Sequence, residues 1–71
     1  MTDTKALEAR IEKSGLKLKY VAKKMGISYA SLRYKMDNVR EFTATEIYQL
    51  CEIVGITDLK EKYKLFFCQK G

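Results

Sequence analysis

A chain of 71 residues has room for one domain with one small core, and at this size only ~60% of the unfolded surface is buried on folding. Hydrophobic residues at 46% argue for a folded globule rather than a disordered tail, and no run approaches the ~18 consecutive apolar residues of a membrane span. The net charge of +5 is common to many classes of basic protein, but the absence of histidine removes the usual general base and the usual imidazole metal ligand.

The opening segment, MTDTKALEAR, lacks the apolar centre of a signal peptide, which predicts a cytoplasmic protein. A first helix is expected over residues 4–13, with Asp3 or Thr4 as its cap. Leu7, Ile11 and Ala6 form its buried face, and Gly15 acts as a left-handed stop. From Lys17 to Met25 the pattern restarts: Leu18, Val21, Ala22 and Met25 follow the i, i+3, i+4, i+7 spacing of a narrow apolar stripe, with Lys19, Lys23 and Lys24 off it. Gly26 ends this second helix, and Ile27 alone separates it from Ser28, a good cap for a third. Two helices joined by so brief a turn must cross steeply, the arrangement called helix-turn-helix.

The third helix, residues 29–36, buries Leu32 and Met36 and leaves Tyr29, Arg33, Tyr34 and Lys35 on its other faces; Asn38 closes it, tolerating a left-handed backbone. Thr43-Ala44-Thr45-Glu46 is a capping box opening a fourth helix, whose stripe is Ile47, Leu50, Cys51 and Val54 and whose stop is Gly55. In the tail, residues 58–71, Leu59, Tyr63 and Phe66 suit a short helix capped by Asp58, the favoured reading, while the alternation of Tyr63, Leu65 and Phe67 also suits an extended strand. Cys51 falls at a core position, and two cysteines 17 residues apart without a CxxC pair supply no zinc site. Neither has an imidazole to activate it, so no enzyme, cofactor or metal is expected. The charge is localised: seven basic residues and one acid lie between Lys17 and Arg40, a net +6 that leaves −1 for the rest of the chain.

The stretch LKLKYVAKKMGISYASLRYKMDN, residues 16–38, resembles the helix-turn-helix of lambda-repressor-like and Cro-like phage and bacterial transcription regulators. The likeness lies in Ala22 in the middle of the first motif helix, the Met25-Gly26-Ile27-Ser28 turn, and Leu32 and Met36 in the second. The segment EFTATEIYQLCEIVGI is similar to the helix those proteins place next. The resemblance implies an all-α fold of about five short helices over most of a single domain, with the motif at residues 17–36 and the tail able to be partly extended. It implies base reading by Tyr29, Ala30, Arg33 and Tyr34. Phosphate contacts fall to Lys17, Lys19, Ser28, Ser31, Lys35, Asn38 and Arg40. Two departures stand out. Leu18 occupies a position where many relatives carry a DNA-bonded glutamine, and Asp37-Asn38 replaces a common Asn-Gly.

The expected function is sequence-specific binding of double-stranded DNA by a Cro-like repressor, its third helix in the major groove. Arg33 is the expected bidentate reader of guanine. A homodimer on a roughly palindromic operator is expected because Leu59, Tyr63, Leu65, Phe66 and Phe67 make a tail more apolar than one small monomer needs. Two other readings stay open: a module of this fold that binds another regulatory protein, such as an antirepressor or antitoxin, and a basic module that binds RNA or a membrane surface without sequence preference. The repressor reading requires the Tyr29–Arg33 face to stand outward without acids neutralising it.

Overall fold

The computed structural model describes residues 1–68 and folds them into five short helices with no strand among the described residues. They are α1 (Thr4–Lys13), α2 (Leu18–Met25), α3 (Tyr29–Met36), α4 (Ala44–Val54) and α5 (Leu59–Phe66). Four of the five start at a side-chain cap, and α2 starts at Lys17 without one. Asp3, Ser28, Thr43 and Asp58 accept a backbone N–H from the first turn of α1, α3, α4 and α5. In the Thr43–Glu46 capping box both reciprocal bonds are formed, at 2.9 and 3.1 Å. Gly26 ends α2 at φ +76°, a conformation that would strain any residue with a β-carbon. The Ile27 N–H then turns back onto the Ala22 carbonyl at 3.0 Å, tightening the link to α3.

Helices of eight residues are unstable alone, so shared burial must support them. Leu7 and Ile11 of α1, Val21, Ala22 and Met25 of α2, Leu32 and Met36 of α3, and Leu50, Cys51 and Val54 of α4 form one cluster, closed by Ile56, Leu65 and Phe66. Fully burying a leucine- or methionine-sized side chain contributes about 1.5–3 kcal/mol, which makes this cluster the main source of stability. Arg10 pins α1 to the other end of the chain: its Nε lies 2.9 Å from Glu61 of α5, while an Nη donates to the Gly55 carbonyl.

The tail corrects one expectation. Leu65 and Phe66 are both buried, with Phe66 set edge-on to Phe42 at 5.4 Å between ring centroids. They complete the monomer core and are not available as dimer contacts. The helical alternative for the tail is the one observed, since α5 puts Leu65 and Phe66 inward and leaves Leu59, Tyr63 and Phe67 exposed. Residues 69–71 of the expected dimer segment lie outside the described residues. No described helix is long and apolar enough to cross a membrane.

The chain's first residues are also built in. Thr2 is buried, its N–H donating to the Asn38 side-chain oxygen at 2.7 Å and its carbonyl accepting from the Asn38 amide at 2.9 Å. Asp3 donates to Leu65, Cys68 donates to Met1, and the Thr4 hydroxyl donates to the Met36 carbonyl. The C-terminal end of α3 is thereby tied to the first residues of the chain, which are bonded in turn to Leu65 and Cys68.

Candidate nucleic-acid interface

Helix α3 presents Tyr29, Ala30 and Tyr34 to solvent, while Leu32 and Met36 anchor it from behind. Tyr29 and Tyr34 are each a little under half exposed, at 43% and 46%, so each side chain rests partly on the protein and is partly open to solvent. The Arg40 guanidinium stacks over Tyr34, 5.7 Å from the ring centroid, which steadies both side chains through a cation–π contact. Ser28 accepts the Ser31 N–H at 3.0 Å and so caps the helix, with its own hydroxyl proton left to donate. Ser31 is half-buried one turn further on.

The seven basic residues of 17–40 divide into two groups. Lys17, Lys19, Lys23, Lys24 and Arg40 are exposed and form no ion pair among the described residues. Lys17 and Lys19 line the same groove as Tyr29 and Glu8, between α1 and the starts of α2 and α3. The other group is tied down. Lys35 lies 3.1 Å from Glu46 and donates to the Glu41 carbonyl at 3.5 Å. The Thr43 backbone N–H, and after it Lys35, hold the Glu46 carboxyl below the usual carboxylate range. Lys35 therefore secures α3 to α4 instead of standing free for a phosphate.

Arg33, the expected guanine reader, is the most constrained. Its Nε and Nη2 donate to the two oxygens of Asp37 at 3.0 and 2.7 Å, and its Nη1 lies 2.7 Å from Glu8 of α1. Hydrogen bonding to Asp37, then to Glu8, raises the guanidinium pKa, and the same bond holds the Asp37 carboxyl below its ordinary range. Acids do neutralise this flank, one cation standing against two carboxylates, so the condition set for the repressor reading fails at Arg33 and is met only at the outward-standing Tyr29, Ala30 and Tyr34. Asp37 could have been foreseen as an i, i+4 partner on the helix, whereas Glu8 comes from 25 positions upstream with no local signal.

Asn38 also departs from the expected phosphate role. It adopts φ +64°, as the sequence suggests, but both ends of its side-chain amide are spent on Thr2. The expected site thus comes together in part. Tyr29, Ala30, Tyr34, Lys17, Lys19, Ser28 and Arg40 are accessible, Ser31 is half-buried, and Arg33, Lys35 and Asn38 are engaged within the fold.

Among the described residues no group of three or more potential metal ligands occurs, and both cysteines are free thiols. Burial pushes the Cys51 thiol up, away from the thiolate a nucleophile would need. Comparison with protein-family models, with curated proteins and with solved structures finds no match to this chain.

Proposed function

We propose that this chain binds double-stranded DNA sequence-specifically as a Cro-like transcriptional repressor, with α2 and α3 acting as a helix-turn-helix and α3 entering the major groove. The observation that carries the reading is the pairing of two features. Tyr29, Ala30 and Tyr34 stand exposed on α3, and Lys17 and Lys19, without ion-pair partners among the described residues, line the groove Tyr29 faces. A helix 10–12 Å across matches a groove about 12 Å wide. Tyrosine can offer a hydroxyl to a base or phosphate and a ring face to a thymine methyl, and Ala30 permits close approach to the same methyl. The unpaired lysines supply the sequence-independent part of the affinity.

On this reading the protein acts as a homodimer through Leu59, Tyr63 and Phe67, the exposed part of the tail, with half-sites about 34 Å apart. Selection of bound sequences from a random duplex pool at physiological salt tests it. A palindromic consensus is the expected result, and equal retention of all sequences would refute it. Sedimentation of the free chain and of its complex tests the dimer separately, and a strict monomer in both would remove that part.

A second reading is favoured by one observation. The Glu8–Arg33–Asp37 cluster leaves α3 without a free cation at its centre. That suits a helix-turn-helix module that meets another protein, an antirepressor or antitoxin, more than it suits a duplex. Such a module would show weak, sequence-blind DNA affinity in the same selection.

A further inference from the structure

We propose that Glu8 and Asp37 are specificity-determining residues, which hold the Arg33 guanidinium away from guanine and leave the base preference of α3 to Tyr29, Ala30 and Tyr34. The inference rests on the DNA-binding reading above and names which side chains read the sequence.

All three guanidinium nitrogens are already engaged by carboxylates, two through hydrogen bonds and the third through an ion pair. Asp37 takes the whole Nε–Nη2 edge, at 3.0 and 2.7 Å, and Glu8 takes Nη1 at 2.7 Å. Guanine recognition needs two adjacent N–H groups aimed together at O6 and N7. The Nε–Nη2 edge has none to spare, and the two N–H groups that remain, one on each Nη, sit on nitrogens already paired with Asp37 and Glu8, whose carboxylates repel the electronegative O6 and N7. Arg33 is also anchored from two helices, by Glu8 on α1 and Asp37 at the end of α3, so no single rotation of its own helix releases it. Bending Arg33 toward a base would strand two carboxylates beside base edges and phosphates. The intact cluster carries a formal charge of −1, which repels phosphate wherever the duplex comes close. Tyr29 and Tyr34 meet neither obstacle, since no ion pair has to break to present them.

The test compares four full-length chains in the random-pool selection: the unaltered protein, Arg33→Ala, the double variant Glu8→Gln/Asp37→Asn, and the double variant combined with Arg33→Ala. Far-UV circular dichroism checks that each is folded, and Arg33→Met, which keeps the unbranched stem, replaces Arg33→Ala if packing is lost. The unaltered protein and Arg33→Ala should select the same consensus. The double variant should gain guanine at one or two positions, with a discrimination of about 5- to 150-fold, and the added Arg33→Ala should erase that gain. A guanine column in the unaltered protein that vanishes in Arg33→Ala would overturn the proposal while leaving DNA binding intact. So would a double variant whose consensus does not change. Enrichment of no sequence by any of the four chains would overturn the DNA-binding reading itself, and the proposal with it.

Discussion

Asn38→Ala should remove a large share of the protein's stability, although Asn38 itself is a surface residue. In the native fold its side-chain amide makes two bonds to one buried residue: it accepts the Thr2 N–H at 2.7 Å and donates to the Thr2 carbonyl at 2.9 Å. Each bond contributes about 1 kcal/mol net. Alanine must also hold φ +64°, which costs a residue with a β-carbon about 1–2 kcal/mol more than it costs asparagine or glycine. The expected loss is therefore about 3–4 kcal/mol. Domains of this size are stable by roughly 0.05–0.15 kcal/mol per residue, so a substantial fraction is at stake.

Asn38→Gly separates the two contributions. Glycine adopts the left-handed backbone without strain but makes neither side-chain bond, so it should lose about 2 kcal/mol. Urea unfolding followed by circular dichroism reads both values from the midpoint and slope. The order native, glycine, alanine is the expected result. A glycine variant no more stable than the alanine one would refute the backbone part of the reasoning. A glycine variant as stable as the native protein would refute the clamp on Thr2.

Three further outcomes are expected. Phe66→Ala should cost about 3–5 kcal/mol by opening the core beside Phe42, whereas Leu59→Ser on the exposed side of α5 should change monomer stability by under ~0.5 kcal/mol and weaken self-association in sedimentation. The Asp37 and Glu46 carboxyls have folded pKa values below their unfolded ones, so the stability they contribute is present at neutral pH and is lost as pH falls below about 4 through the depressed range. Thermal melts at a series of pH values should show that loss, and Asp37→Asn/Glu46→Gln should flatten it. Lys19→Ala should weaken binding to all DNA sequences alike and lower the salt slope by about 1, measured by titration at several salt concentrations.

What the sequence made legible was local in origin. The bounds of α1, α3 and α4 follow from caps and stops a few residues from the helices they delimit, and the apolar stripes named the walls of the core, with Leu7, Ile11, Val21, Leu32, Leu50 and Cys51 all buried. The positive φ of Asn38 was legible for the same reason. The misses are long-range. Leu65 and Phe66 read as surplus apolar residues because nothing in the tail announces that Phe42 waits for Phe66. No local pattern marks Thr2 for burial, yet Asn38 bonds it from 36 positions away. Periodicity can assign a face to each helix, but it does not say which residue on a distant helix will meet it. Arg33 shows the consequence at the candidate site. Its place on α3 followed from the sequence, while its availability depended on Glu8, whose approach is set by how α1 packs.

Ion pairing redistributes the charge that first drew attention to residues 17–40. With Arg33 held by two acids and Lys35 by Glu46, the cations of residues 17–40 that form no ion pair among the described residues are Lys17, Lys19, Lys23 and Lys24 on and beside α2, and Arg40 beyond α3. The exposed side chains of α3 itself are then mainly Tyr29, Ala30 and Tyr34, which carry no charge. On the proposed reading this division follows the two tasks of a DNA-binding surface. Phosphate contacts position the protein and draw on free cations, while base contacts specify and need only matched donors, acceptors and methyl-sized surfaces. A free arginine at the centre of α3 would strengthen binding to every sequence as well as to the right one. An uncharged reading face flanked by lysines makes the fit of two tyrosines against the base edges decide between sequences. The salt dependence of binding should then be carried by the α2 lysines and Arg40, and the base preference by α3.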